Sequence, residues 1–174
     1  MKQDVDIAML LMENQDMNSN EKYMREAYKE AQKAYTLNEV PVGCIIVQND
    51  KIISKAHNLR NTKKNSLCHA EVLAISKACK KLNRWILDDC TLYVTMEPCV
   101  MCAGAIIQSR INKVVYGIPQ NRYGCAGTLV NLFNDFEFNN KPIVEKGIME
   151  EEIKELVNSF FKKMRKDKKN IIDN

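Results

Sequence analysis

The chain has 174 residues, a formal net charge of +4, 45% apolar residues and 28% charged residues. These values are typical of one folded domain with its own core, and they argue against a disordered or fibrous chain. No apolar run has the length of a membrane span, so we expect no membrane partner. The seven cysteines, an odd number, suit a reducing cytoplasmic location better than secretion.

The N-terminus is predicted to stand apart from the rest of the chain. Residues 1–18 are interpreted as an extension, either disordered or a loosely packed helix, unless translation begins at Met17. Residues 19–169 then form a single domain, and residues 170–174 form a short tail. We find no internal repeat and no low-complexity linker that would divide this domain.

Within the domain, helices and strands are predicted to alternate. Ser19 or Asn20 is expected to cap a first helix that runs to about Leu37, and Asn49-Asp50 marks a tight turn between the first two strands. A hairpin followed by strands that helices connect predicts a mixed sheet in a layered α/β domain. Five strands are predicted, at 42–48, 51–56, 91–96, 113–117 and 143–145. Further helices are predicted from 69, from 98 and over 150–166.

The most informative motif is His69-x-Glu71 followed by Pro98-Cys99-x-x-Cys102. His69, Cys99 and Cys102 supply three ligands of the kinds that tetrahedral zinc prefers, and a catalytic zinc keeps its fourth position for water. The two cysteines, three residues apart, share one helix face, and Pro98 suits the first helical position. Glu71 lies two residues beyond His69, so we expect it to face the water as a general acid and base.

A closed structural zinc site is the alternative for these residues. Cys68 is the one cysteine close enough in sequence to compete, because it adjoins His69. Adjacent residues point apart, and the chain lacks the second ligand pair that such sites usually show. Cys44, Cys79 and Cys90 lie in apolar patterns and are expected to be small buried hydrophobic residues.

The motif, within the segment 95–105, resembles that of the zinc-dependent nucleobase deaminases, and the wider sequence resembles the bacterial tRNA adenosine deaminases. The resemblance extends over roughly residues 20 to 168. It implies a cytidine-deaminase-like three-layer α/β/α fold with a central five-stranded mixed sheet, one Zn²⁺ per subunit and a homodimer, with Ser109-Arg110-Ile111 near the subunit contact. It also implies hydrolytic deamination of adenosine to inosine at the wobble position of the tRNA anticodon.

The resemblance assigns further residues to a base pocket. By its motif order, Asn58 hydrogen-bonds the purine edge, the backbone N–H of Ala70 faces the reacting base, and Val40 and Met96 form pocket walls. Taken without the resemblance, an asparagine after a strand is a common turn former, and Val40 and Met96 would be interpreted as core residues.

One position departs from the family pattern. Relatives often carry an acidic residue after the fourth strand, where it contacts the sugar beside the target base, whereas this chain has Gln120 there. The 2′-hydroxyl distinguishes RNA from DNA. We therefore hypothesise that this chain discriminates RNA from DNA less strictly than an acidic relative does.

The C-terminal region carries the candidate contacts to an RNA stem. Basic residues crowd positions 162–169, and such a run can neutralise phosphates or can simply be a solvated helix end. Phe161, Lys162 and Arg165 are the candidates, together with Gln120. One ring of the pair Phe160-Phe161 is expected to pack in the core.

Two other functions fit parts of the pattern. A free-purine deaminase, acting for example on guanine, or a nucleoside deaminase would share the fold and the metal chemistry, but it has no evident need for a basic C-terminus. A subunit that binds RNA without turnover is disfavoured because Glu71 is retained.

Overall fold

The computed structural model describes the backbone of residues 2–172 and the side chains of residues 19–167, 169 and 170. Over these residues four helices flank one five-stranded sheet. The elements are α1 (Lys2–Thr36), β1 (Gly43–Gln48), β2 (Lys51–His57), α2 (Ala70–Leu82), β3 (Cys90–Met96), α3 (Val100–Gln108), β4 (Lys113–Ile118), β5 (Ile143–Lys146) and α4 (Glu150–Ile172).

The sheet is mixed, as predicted. Its strand order is β2-β1-β3-β4-β5, in which β1 runs antiparallel to β2 and β3 while β3, β4 and β5 are parallel. The hairpin turn at Asn49 and Asp50 has φ values of +46° and +57°, which is the left-handed geometry that two-residue hairpin loops favour. The predicted tight turn is therefore confirmed.

Alternation along the strands creates two cores, one on each face of the sheet. Cys44 and Ile46 on β1 pack with α2 and α3, whereas Ile45 and Val47 pack with α1 and α4. The predicted three-layer α/β/α fold is confirmed. No helix in the described part of the chain combines the length and the apolar composition that a membrane span requires.

The first helix starts earlier than predicted. It begins at Lys2, so neither Ser19 nor Asn20 is its cap. Residues 2–18 contain no glycine or proline that would break a helix. The buried Asn20 side chain instead donates to Glu145 and accepts a 2.8 Å hydrogen bond from the Tyr93 hydroxyl. Side chains before Ser19 lie outside the described residues, so an extension at 1–18 and a start at Met17 stay predictions.

The last helix also runs further than predicted. It continues past residue 166 to Ile172, because the lysine-rich run contains good helix formers and no breaker. The predicted tail at 170–174 therefore begins inside the helix, and residues 173–174 lie outside the described part of the chain.

β1 approaches α1 closely at Gly43. A Cβ atom at this position would lie 2.0 Å from the Ala27 carbonyl oxygen and 2.4 Å from the Ala31 nitrogen. Both are backbone atoms, so only a residue without a side chain fits. The Gly43 N–H donates to the Thr95 hydroxyl at 3.1 Å, which ties the start of β1 to the end of β3, beside the metal-ligand segment.

Candidate metal centre and active site

Two helix N-termini meet at the centre of the site. His69 is the N-cap of α2, with φ −76° and ψ 150°, and Cys99 is the N-cap of α3, with φ −77° and ψ 174°. Neither side chain caps its own helix, so the imidazole and the thiol remain available to a metal. The positive ends of both helix dipoles point to the same place, where they favour thiolate and carboxylate.

The prediction that Pro98 occupies the first helical position is wrong. α3 begins at Val100, one residue after its N-cap Cys99, so Pro98 precedes the cap. The physical reason is non-local: Cys99 forms an isolated antiparallel bridge with Gly124, and the Pro98 carbonyl accepts from the Cys125 N–H at 2.9 Å. These bonds hold residues 98 and 99 in an extended conformation.

His69, Cys99 and Cys102 form one compact group. The Nδ1 atom of His69 lies 3.6 Å from the Cys99 sulfur and 3.5 Å from the Cys102 sulfur. A tetrahedral zinc with Zn–S about 2.3 Å and Zn–N about 2.0–2.1 Å would separate such N and S atoms by about 3.5–3.6 Å. The three side chains therefore fit zinc, with His69 binding through Nδ1.

The fourth position of this centre is open. Among the described residues, no fourth histidine, cysteine, aspartate or glutamate joins the group of three possible ligands. Cys68 is buried but does not belong to the group, so the closed structural site is not formed. Cys44 and Cys90 are buried as predicted, whereas Cys79 is only half-buried at the edge of the core.

The ligand side chains share hydrogen bonds that favour a thiolate. A hydrogen bond from Cys102, reinforced by one with His69, lowers the pKa of Cys99 to about 4 despite its partial burial. The hydrogen bond to Cys99 and burial raise the pKa of the Cys102 thiol. The hydrogen bond to Cys99 likewise raises the pKa of His69. A bound zinc deprotonates its coordinating thiols outright.

Glu71 lies in the first turn of α2, beside the ligands. It is 4% exposed, and burial raises the pKa of its carboxyl group to about 7. Its side chain forms a hydrogen bond with Cys102. Ala70, between His69 and Glu71, is the first residue of α2 and is buried. A carboxyl group with a pKa near neutrality can both accept and release a proton at physiological pH.

Asn58 is buried at the end of β2 and is held by Glu39. The Asn58 side-chain N–H donates to one Glu39 oxygen at 3.4 Å, and the Thr62 N–H donates to the other at 2.6 Å. The Asn58 backbone N–H donates to the Val42 carbonyl at 3.0 Å. The described residues offer the Asn58 side-chain oxygen no donor, which leaves it available to a ligand.

The loop 119–128 forms another border of the site. Gln120 donates from Nε2 to the Met96 sulfur at 3.0 Å and accepts from the Arg122 N–H at 3.1 Å, so its side chain is engaged within the loop. Met96 is buried under Gln120, and Val40 is half-buried two residues before Val42. The roles of Val40, Met96 and Gln120 towards a substrate stay predictions.

The helix α4 packs on the sheet face opposite α2 and α3. Its basic end contacts the segment just before Glu39. Phe160 is buried against Tyr35 at a centroid distance of 5.7 Å, which confirms that one ring of the pair packs in the core, whereas Phe161 is 42% exposed. Lys163 donates to Asn38 at 2.9 Å, next to the carboxylate that holds Asn58. Lys162 and Arg165 are exposed, and no described carboxylate pairs with either. None of these α4 residues contacts the metal group.

Sequence reasoning assigned no role to two buried glutamates, Glu39 and Glu97. They are 0% and 3% exposed, and backbone N–H groups of neighbouring loops donate to them. A signal was present, because each glutamate stands in an apolar segment beside a proline or a valine. Their partners lie 19 to 31 residues further along the chain, where no local pattern reveals them.

Comparisons with known proteins agree with this centre. The family profile "Cytidine and deoxycytidylate deaminase zinc-binding region" matches residues 17–118, more than half of the chain. The tRNA-specific adenosine deaminase of Bacillus subtilis is 50% identical over 153 residues, which covers 88% of this chain and 95% of that protein.

Two solved structures of deaminases resemble this chain. A structure of tRNA:A34 deaminase, which performs A-to-I editing at the wobble position of transfer RNA, superposes with a TM-score of 0.75 at 33% identity, covering 78% of this chain and 98% of that one. The guanine deaminase of Bacillus subtilis superposes with a TM-score of 0.56 at 36% identity, over 65% of this chain and 72% of that one. The chain therefore belongs to the cytidine and deoxycytidylate deaminase family of zinc-dependent hydrolases, in the group of the tRNA-specific adenosine deaminases.

Proposed function

We propose that this protein hydrolyses the wobble adenosine of a tRNA anticodon to inosine. The observation that carries the proposal is the three-ligand centre of His69, Cys99 and Cys102 with the buried Glu71 beside it, in a chain 50% identical to a tRNA-specific adenosine deaminase. The net reaction consumes one water and releases one ammonia.

The proposed roles divide between the metal and the protein. Bound at His69, Cys99 and Cys102, zinc would lower the pKa of a water in the fourth position and so make a nucleophile available near neutral pH. Glu71 takes a proton from this water on its carboxylate. It delivers this proton to the adenine ring nitrogen N1 as the water oxygen bonds to C6. It then takes the remaining proton of that oxygen and delivers it to the amino group, whose bond to C6 breaks as ammonia leaves.

The base pocket would select and orient the adenine. The Asn58 side-chain oxygen is without a described donor, so it is available to accept from the purine edge, and the buried Glu39 holds the asparagine in place. Ala70 is the first residue of α2, so its N–H has no acceptor within the helix and can donate to the reacting base. Val40 and Met96 supply the apolar walls.

The surface around the pocket favours RNA over a free base. Lys162 and Arg165 are exposed on α4 without described acidic partners, and Lys163 ties this helix to the segment before Glu39. Positive charges so placed can bind the phosphates of an anticodon stem. The target base in a single-stranded loop is cheap to unstack and to place in the pocket. Phe161 and Gln120 are further proposed RNA contacts.

Deamination of a free purine is the second candidate. It is favoured by the structural likeness to a guanine deaminase, which has a related fold at 36% identity. The two candidates differ in what they need outside the pocket, because a free base makes no use of the charges on α4.

We also propose that the active form is a homodimer in the cytoplasm. Large apolar side chains close to the metal-ligand segments are exposed, among them Leu67 at 57% and Val100 at 65%. Trp85, 60% exposed, stacks with Arg110, whose guanidinium lies 5.5 Å from the ring centroid. All seven cysteines are free, which fits a reducing compartment. Sedimentation equilibrium should give twice the chain mass of 20.0 kDa.

The substrate is tested by comparing four candidate substrates in parallel reactions. Zinc-loaded protein is incubated separately with an adenosine-bearing anticodon stem-loop, the matching DNA stem-loop, free adenosine and free guanine, and the products are separated by chromatography. Inosine in the RNA, with little or no turnover of the free purines, is the expected result. Turnover of guanine alone would favour the second candidate.

A further inference from the structure

Glu97 is a buried carboxylate that the chemistry above does not use. It follows β3 and stands two residues before the ligand Cys99. It is 3% exposed, and no described lysine or arginine pairs with it. A buried carboxylate without a cation is costly unless hydrogen-bond donors surround it, so its donors indicate what it is for.

All described donors to Glu97 come from the loop 119–128. Its Oε2 accepts from the Gln120 N–H at 3.0 Å and from the Thr128 hydroxyl. Its Oε1 accepts from the Ala126 N–H at 2.9 Å and from the Thr128 N–H at 3.0 Å. One side chain therefore fixes the loop at one residue near its beginning and at two residues near its end.

The loop is also seated directly on the metal-ligand segment. A Cβ atom at position 124 would lie 2.3 Å from Glu97 Oε2 and 2.6 Å from the Gln120 carbonyl oxygen, so Gly124 is required for this close approach. The next residue, Cys125, donates its N–H to the Pro98 carbonyl at 2.9 Å. The carboxylate thus lies between the loop and the chain that carries Cys99.

The fixed loop presents exposed side chains at the border of the site. Tyr123 is 66% exposed, and Arg122 beside it is exposed as well. An aromatic ring and a guanidinium are the groups on which unpaired bases stack and to which phosphates bind. Arg122 and Tyr123 stand between Gln120 and Ala126, two of the residues that donate to Glu97.

We propose that Glu97 is a positioning residue for substrate binding, because it holds the loop 119–128 in the conformation that receives the nucleotides flanking the reacting base. The inference rests on the RNA deaminase activity proposed above. Glu97 touches none of the reacting atoms and belongs to neither the metal group nor the base pocket. Its removal should therefore weaken binding of RNA more than it slows the chemical step.

The first test is Glu97→Gln on the zinc-loaded, full-length protein. The glutamine amide places an N–H where one carboxylate oxygen now accepts, so at least one donor of the loop loses its partner. With the anticodon stem-loop, KM should rise about tenfold, equivalent to about 1.4 kcal/mol, while kcat stays within about twofold. A fall in kcat at unchanged KM would overturn the proposal, because that is the result of a smaller folded fraction.

A matched pair at Thr128 keeps the test decisive if Glu97→Gln does not fold. Thr128→Val removes only the hydroxyl that donates to Glu97 and retains the shape of the side chain, whereas Thr128→Ser keeps the hydroxyl. We expect Thr128→Val to raise KM severalfold and Thr128→Ser to restore the original value. Equal KM values in the two variants and the unmodified protein would overturn the proposal.

Hydrogen exchange tests the loop without reference to activity. The amides of Gln120, Ala126 and Thr128 should be protected in the unmodified protein and should exchange faster in Glu97→Gln, with protection of the central strands unchanged. Unchanged loop exchange would overturn the proposal. If the unmodified protein does not deaminate the stem-loop, the proposed function fails, and the exchange result still decides whether Glu97 holds the loop.

Discussion

The N-cap residues of two different helices, His69 and Cys99, face each other with Nδ1 3.6 Å from the sulfur. α2 and α3 follow different strands and are separated in sequence, yet each delivers its first ligand from the residue just outside the helix. The arrangement leaves each helix its full set of first-turn N–H groups, and it places Cys102 and Glu71 in the first turns behind the caps.

Replacement of a ligand should remove the metal, whereas replacement of a neighbouring cysteine should not. Cys99→Ser, Cys102→Ser and His69→Ala should each abolish stoichiometric zinc binding, because two protein ligands remain. Cys68→Ser and Cys125→Ser are the controls, since both cysteines are buried near the site but neither belongs to the ligand group. Zinc content is measured by atomic absorption after dialysis. Loss of zinc in Cys68→Ser would contradict the three-ligand centre.

Gly43→Ala should destabilise the fold. The added methyl would overlap backbone atoms of α1, which cannot rotate away. We therefore expect a loss of about 3 kcal/mol in the free energy of unfolding, near the upper end of the usual cost of an overpacked substitution. Gly104→Ala is the matched control, because nothing lies within 4 Å of its added Cβ and alanine favours a helix. Urea denaturation measures both variants. Equal midpoints for the two variants would be evidence against the close approach of β1 to α1.

The Glu30 carboxylate should make stability depend on acid pH. Burial alone would raise its pKa, but hydrogen bonds from Lys33 and His57 outweigh burial and lower the pKa below its ordinary value of 4.5. A depressed pKa in the folded state stabilises the fold above the ordinary value, and this stabilisation is lost as the pH falls through the folded value.

Glu30→Gln isolates this contribution. The difference in unfolding free energy between the unmodified protein and the variant should be largest at about pH 7 and should shrink as the pH falls below about 4.5. Loss of zinc at low pH affects both proteins alike, so it cancels in the difference. Urea titrations at several pH values measure it. A difference that stays constant down to about pH 3 would show that Glu30 is not stabilised by its partners.

Charge removal on α4 should weaken binding of RNA and leave turnover intact. The double variant Lys162→Ala/Arg165→Ala should raise KM for the stem-loop and reduce the slope of log KM against log salt by about 0.7 to 0.9 for each phosphate that the variant no longer neutralises. Lys80→Ala/Lys81→Ala removes the same charge from the far end of α2 and serves as the control. If both variants behave alike, the effect is one of net charge, and α4 is not a docking site.

Much of the fold could be predicted because its signals are local. The fourth strand, predicted at 113–117, is observed at Lys113–Ile118, since a buried strand in the middle of a sheet is a continuous apolar run. The metal ligands could be predicted for a similar reason, because their spacing within two short segments is chemically restrictive. The hairpin turn followed from two consecutive residues that tolerate positive φ.

What could not be predicted depends on pairings between residues distant in sequence. Pro98 lies outside its helix because residues 124 and 125 pair with the segment before it. Asn20 resembles a helix cap, but its side chain is used by β3 and β5 instead. Glu97 acquires its donors 23 to 31 residues later in the chain, from a loop without periodicity.

The proposed reaction is tested most directly by comparing the unmodified protein with Glu71→Gln on the adenosine-bearing anticodon stem-loop. Both are loaded with zinc, and inosine is quantified after digestion of the RNA to nucleosides. We expect inosine from the unmodified protein, and a rate lower by about 10² to 10⁴ in the variant with its zinc content unchanged, because the general acid and base is lost. Equal rates in the two proteins, or no inosine from the unmodified protein, would contradict deamination of RNA by Glu71 at a three-ligand zinc centre.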